Sequence, residues 1–197
     1  MNNIQQLIEQ SKERGFVKEQ IPTFSFGTPE QCYNFITVLF PKVDQTVKEF
    51  KSIPEYFEVA KYLSNTQNKG LFLSGSVGRG KSILAEKVIP TIFLTSRYRK
   101  VLTVVPAIEL GKQFNKFSRN KHLVIDDVGT EGIYKDFGNQ MIPFVDIVNL
   151  AERESKFLII TTNLTLEEFA QKYGKRTIDR LVRLCHFVKF EGESFSK

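Results

Sequence analysis

The spacing of apolar side chains along the 197 residues changes character near residue 70. Before it, apolar positions recur at helical intervals. Ile4, Leu7 and Ile8, followed by Phe16 and Val17, predict an amphipathic stretch between polar side chains over residues 1 to about 20. Thr28-Pro29-Glu30 opens a predicted helix over 29–39, and Pro54 stands at a first helical position before a helix running to Leu63. From residue 70 onward, short apolar runs alternate with helical segments, the pattern of a parallel sheet covered on both faces. Strands are predicted at 70–74, 101–105, 122–126, 157–161 and 186–190, and helices at 81–89, 107–118, 138–152, 166–173 and 176–184. The expected class is α/β, with a five-stranded parallel sheet and a short helical N-terminal extension. The extension is placed at residues 1–53, as a segment that could bind a partner, and the main domain at 54–197.

Length and composition narrow this picture. A chain of 197 residues with 41% hydrophobic content buries one sizeable core and is short for two. No run of about 18 apolar residues and no signal-peptide block is present, so a cytoplasmic protein without a membrane partner is expected. Cys32 and Cys185 do not suggest a disulfide framework, and with only His122 and His186 no zinc spacing exists. The net charge is +6, and from residue 171 to the end seven basic residues face three acidic ones. That surplus suits a polyanion partner or a solvated basic face.

The chemistry begins at Gly75-Ser76-Val77-Gly78-Arg79-Gly80-Lys81-Ser82, which satisfies G-x-x-x-x-G-K-[ST] between an apolar strand and a helix ending the loop at Ile83. Glycines let the backbone curl around phosphates with N–H groups inward, and the helix N-terminus adds favourable partial charge. Lys81 is placed on the β/γ-phosphates of ATP and Ser82 on Mg²⁺. His122-Leu-Val-Ile-Asp126-Asp127 then sets two carboxylates where a buried strand ends. Asp126 is expected to hold Mg²⁺ through water, and Asp127 to orient or deprotonate the attacking water, with Glu131 a second candidate for that step. Phe157-Leu-Ile-Ile-Thr161-Thr162-Asn163 repeats the arrangement, and Asn163 is preferred over Thr162 for reaching the γ-phosphate or the water. Arg176, Arg180 and Arg183 fall at i, i+4 and i+7 of one helix, with Ile178, Leu181, Val182 and Leu184 free to pack elsewhere. An arginine on that face could reach the γ-phosphate bound by a neighbouring subunit.

In order, GSVGRGKS, LVIDDVGTE, FLIITTNLT, YGKRTIDRL and FVKFEGESF resemble the DnaC/DnaI-type helicase loaders and the related IstB-type transposition helpers, over roughly residues 55–195. The resemblance implies a three-layer P-loop NTPase core of the AAA+ class, with Walker A at Gly75–Ser82, Walker B at Asp126–Asp127, sensor 1 at Asn163 and the arginine finger at Arg180, with Arg176 the alternative. It also implies an ATPase that forms a homo-oligomer in the ATP state, contacts single-stranded DNA and delivers a replicative DNA helicase. Two features depart from the pattern. Phe195 is followed by Ser196 where many loaders carry an arginine, and no cysteine-rich zinc module precedes the core. The alternatives are an IstB-like transposition helper, a nucleotide-gated adaptor with negligible hydrolysis, and a small-molecule kinase with the arginines as a lid.

Overall fold

The computed structural model describes residues 3–14, 20–47, 49–132, 134–136 and 139–195; Phe16, Val17, Gly138, Ser196 and Lys197 lie outside them. Five strands form one sheet: β1 (Gly70–Gly75), β2 (Thr103–Pro106), β3 (His122–Val128), β6 (Phe157–Thr162) and β7 (Cys185–Phe190). Their order is β2-β3-β6-β1-β7, and every pairing is parallel. Parallel strands need crossovers, and the helices that make them cover both faces. β1 and β6 therefore read as unbroken apolar runs, with all six residues of β6 buried. β7, at the sheet edge, exposes His186 and Lys189 between buried residues.

Successive side chains on a strand point to opposite faces, and the register pairs Leu71 with Ile159 and Phe72 with Ile160. Phe157 thus shares a face with Leu71, and there it meets Phe24 and Phe93 at centroid distances of 5.4 Å each. Phe72 points the other way, to Phe169 at 5.4 Å and Phe187 at 4.5 Å. Each fully buried Phe of this kind contributes roughly 1.5–3 kcal/mol.

The helices are α1 (Asn3–Glu13), α2 (Pro29–Val43), α3 (Pro54–Ser64), α4 (Lys81–Ile83), α5 (Ile89–Thr95), α6 (Phe114–Phe117), α7 (Pro143–Glu154), α8 (Leu166–Tyr173) and α9 (Lys175–Leu184). α2 starts on a capping box, in which the Thr28 hydroxyl accepts from Gln31 N–H and the Gln31 side chain accepts from Thr28 N–H. Ile21, Phe24, Cys32, Ile36 and Phe40 are buried in the same core as the strands, whereas Ile4, Leu7 and Ile8 on α1 are exposed. Both cysteines are free and buried. No helix among the described residues is long and apolar enough to cross a membrane.

Several elements differ from the sequence expectation. The helix expected at 81–89 runs to Thr95 in three stretches, with a π-helical turn at Leu84–Val88 just before Pro90, which has no N–H to continue the ladder. The helix expected at 107–118 is a 3₁₀ turn at Ala107–Glu109 and the short α6, with the turn at Gly111 between them. A hairpin of β4 (Tyr134–Asp136) and β5 (Asn139–Met141) occupies the start of the segment expected to be helical from 138, so that helix begins at Pro143. The strand expected at 101–105 begins at Thr103, and α2 continues past Pro41 to Val43. Val182, expected to pack, is exposed.

Candidate functional site

Because β1, β3 and β6 are parallel neighbours, the loops after them open at the same end of the sheet, the carboxyl end of its strands. The loop after β1 is held by its glycines. Gly75 has φ 112°, and a Cβ there would stand 2.1 Å from the Phe190 carbonyl oxygen. Gly80 has φ 79°, and a Cβ would meet the Tyr56 hydroxyl at 2.4 Å. The Tyr56 hydroxyl in turn donates to the Arg79 carbonyl at 3.0 Å. α4 begins at Lys81 directly after the loop, with no side-chain cap on its first N–H groups.

Lys81 is 5% exposed. Its Nζ donates to the carbonyls of Gly75 (2.8 Å) and Ser76 (2.7 Å) and to Asn163 Oδ1 (2.8 Å). Burial pushes its pKa down to about 8, against the pull of Asp126 and Asp127. Asn163 Nδ2 donates to Asp127 Oδ1 at 2.8 Å, so one amide joins the loop's lysine to the acidic strand. Asp127 sits at φ 56°, where the β3 register shifts between Ile125 and Val128. Burial first, and then Asp126, raise its pKa.

Thr161 was not singled out by sequence reasoning. Its hydroxyl donates to Asp126 Oδ1 at 2.6 Å and accepts from Asp127 N–H at 2.8 Å, fixing the Asp126 carboxylate and the Asp127 backbone from the next strand. The signal for it is its place on a buried strand beside that pair. Thr162 is turned away, donating to the Val128 carbonyl and accepting from Leu164 N–H at 3.1 Å. Glu131 is buried, and both its oxygens are engaged, by the Tyr173 hydroxyl and by Gly129 N–H. Its carboxylate serves the loop's structure, which sets it apart from the half-buried Asp127. Ser82 is exposed on the first turn after the loop. Ser82 and Asp126 supply hydroxyl and carboxylate oxygens, the donor type that magnesium takes.

The loop also borders a cavity of about 710 Å³ lined by Gly78, Gly80, Lys81 and Ser82 on one side and by Phe40, Phe50, Tyr56, Ile83 and Phe195 on others. An apolar, aromatic wall beside a phosphate-type loop suits a nucleotide. Arg79, within the loop, is held by contacts of its own. Its Nη2 meets Glu55 Oε1 at 3.2 Å, its Nη1 donates to the Glu193 carbonyl at 3.3 Å, and its guanidinium lies 4.5 Å from the Phe195 ring centroid. Phe195 N–H donates to the Gly78 carbonyl at 2.9 Å. Val77, at the loop's tip, is exposed. A second cavity, of about 770 Å³ and lined by Phe26, Phe35, Val38 and Ile92, holds none of these groups.

The arginines stand apart from this cluster. Arg180 Nε meets Glu152 Oε2 at 2.7 Å, and Arg183 Nη2 meets Glu152 Oε1 at 2.6 Å, which ties α9 to α7. Hydrogen bonds from Arg183 and Arg180 hold the Glu152 carboxyl below its usual range. Arg176, one turn earlier, is exposed. The structure therefore gathers Lys81, Asp126, Asp127 and Asn163 in one network and pairs Arg180 with Arg183 elsewhere.

With this geometry in hand, known proteins can be compared. The family of IstB-like ATP binding proteins is matched over residues 51–197. No curated protein sequence matches the chain. Among solved structures, the crystal structure of the DnaC helicase loader superposes with a TM-score of 0.58 at 18% identity, covering 77% of this chain and 98% of that one. DnaI superposes with a TM-score of 0.54 at 15% identity, covering 77% of this chain and 93% of that one. At these identities the likeness is one of fold, and the fold is that of an α/β P-loop NTPase.

Proposed function

The chain belongs to the IstB-like ATP-binding protein family, and from that premise we propose that it is an ATP-hydrolysing helicase loader of DNA replication. The observation that carries the reading is the single network in which Lys81, Asn163, Asp127, Thr161 and Asp126 join the phosphate loop to the acidic strand. Likeness of fold to the DnaC helicase loader and to DnaI supports the biological role.

In this reading the N–H groups of the loop and Lys81 bind the phosphates of ATP, and the aromatic wall shelters the base. Ser82 and Asp126 hold magnesium, which when bound neutralises charge on the phosphate oxygens. Asn163 fixes Asp127 Oδ1 and so aims the other carboxylate oxygen at the attacking water. Burial and the neighbouring Asp126 strengthen Asp127 as the acceptor of that water's proton. Arg180 of one subunit stabilises charge on the nucleotide held by the next, which makes turnover depend on homo-oligomer assembly. Assembly takes place along single-stranded DNA, and residues 1–53 attach the helicase to the ATPase domain at 54–197.

The test is DNA-stimulated ATP hydrolysis. Lys81→Ala and Arg180→Ala each lose it, and mixing the two variants restores part of it; turnover untouched by Arg180→Ala would remove the intersubunit role. Family membership itself favours a second reading, a transposition helper acting on double-stranded DNA. Co-purification decides: a hexameric helicase supports the loader, a transposase the helper. ATP binding with turnover no faster than in Asp127→Ala would instead indicate a nucleotide-gated adaptor.

A further inference from the structure

Beyond the end of β3 lies a set of hydrogen bonds that this reaction does not use. Glu131 is 5% exposed although it is a carboxylate. Its Oε2 accepts from Gly129 N–H at 2.9 Å and its Oε1 accepts from the Tyr173 hydroxyl. Lys172 Nζ donates to the Gly129 carbonyl and, at 3.0 Å, to the Glu131 carbonyl. Tyr173 is itself wedged between Phe144 and Phe169, with centroids 5.0 and 4.6 Å away. The last two residues of α8 therefore grip the loop that immediately follows Asp126 and Asp127.

The same two residues are also the root of α9. Gly174, at φ 83° and ψ 151°, turns the chain from α8 into α9. The Thr177 hydroxyl then ties the first turn of α9 back to the Tyr173 carbonyl at 2.7 Å. One end of this corner is fixed to the acidic strand, and the other carries Arg176, Arg180 and Arg183. Apolar packing alone would hold such a corner without burying a carboxylate, whose desolvation is costly. A buried Glu in the loop after the acidic strand, bonded to Tyr173 at the corner from which the arginine helix starts, instead sets an angle between two parts of the site.

We propose that Glu131, Tyr173 and Lys172 are positioning residues: they fix α9 relative to the Asp126–Asp127 strand, and so set the direction in which Arg180 is offered to the neighbouring subunit. The proposal rests on the reading of Arg180 as acting on the next subunit's nucleotide. It requires Tyr173 to matter in the subunit that donates the arginine rather than in the subunit that holds the nucleotide.

Mixed full-length variants separate the two. Lys81→Ala protein supplies an arginine without a working site, and Arg180→Ala protein supplies a site without the arginine. Their mixture regains hydrolysis. Adding Tyr173→Phe to the donor cuts the regained rate about tenfold, since misplacing a charged group by an ångström is enough to do so. The same change in the acceptor leaves the rate within about twofold. Lys172→Ala in the donor gives the same asymmetry at smaller size and, being an exposed position, answers the question even where Tyr173→Phe fails to fold. Loss confined to the acceptor, or equal from either side, overturns the positioning role while leaving Arg180 in place. No regained hydrolysis in the parent mixture removes the intersubunit arginine itself, and the positioning role with it.

Discussion

The carboxyl end of the sheet, which gathers Lys81, Asp126, Asp127 and Asn163, and the helix that carries Arg176, Arg180 and Arg183 hold their charges by different means. Lys81 is buried, bonded to three oxygens within 2.8 Å, and cross-linked through Asn163 to a neighbouring strand. Arg180 and Arg183 share one glutamate, itself 28% exposed; the Arg183 side chain is 61% exposed and that of Arg180 16%. A buried network of this kind is set before any ligand arrives. An ion pair open to water, as Arg183 with Glu152 is, by contrast exchanges partners at little cost. Under the proposed function, the intrachain half of the site is preorganised, while its cationic half is kept on Glu152 until a stronger anion is presented.

Substitutions sharpen that contrast in decreasing order of effect. Lys81→Ala should weaken ATP binding about 100-fold or more, as loss of a charged hydrogen-bond donor to phosphate does, measured by titration calorimetry, and turnover should vanish with it. Arg180→Ala should lower the assembled turnover about 100-fold with ATP affinity within about twofold, because a group supplied by another subunit contributes to the transition state and not to binding. Equal losses in affinity from both substitutions would erase the distinction between the halves. Thr161→Val, nearly isosteric, should lower turnover about tenfold without weakening ATP binding, since it frees the Asp126 carboxylate and the Asp127 backbone to drift.

The pH dependence has a definite sign. Burial holds Lys81 at about 8 in the folded chain, below the ordinary 10.5 of a lysine. The ammonium is lost above pH 8, so ATP affinity should fall by up to about tenfold between pH 8 and 9. The unfolded chain binds the extra proton in that window, so the stability of the ligand-free protein should rise as pH climbs from about 8 towards 10.5. Affinity and stability moving in the same direction would sink the assignment. Smallest of all, Glu152→Gln should shift stability by about 1 kcal/mol or less in thermal unfolding, because Arg183 is open to water and the amide oxygen of the new side chain still accepts from Arg180.

Much of this site was legible in the sequence. The strands around residues 70, 103, 122, 157 and 185 follow from apolar runs bounded by turns, and parallel pairing of three of them brings Lys81, Asp126, Asp127 and Asn163 together. What escaped was whatever depends on cross-strand register. Thr161 reads as one more β-branched strand residue until pairing sets it beside Asp126. Glu131 reads as a possible base until Tyr173, 42 positions later, closes on it. Phe40, Phe50 and Phe195 line the cavity from distant parts of the chain, so no spacing rule joins them. The helix expected at 107–118 failed for a local reason, since the apolar periodicity there spans a glycine turn.

The strand order also bears on how the protein is made. β1, which ends in the phosphate loop, lies between β6 and β7, whose residues follow it by some 85 to 115 positions. On a ribosome moving at about 5–20 residues per second, the loop's strand waits for several seconds without either neighbour. Long-range parallel pairing is intrinsically slow to form. The apolar run Leu71-Phe72-Leu73 is therefore the segment in greatest need of protection during synthesis, and nucleotide binding becomes possible only when almost the whole sheet has closed around it.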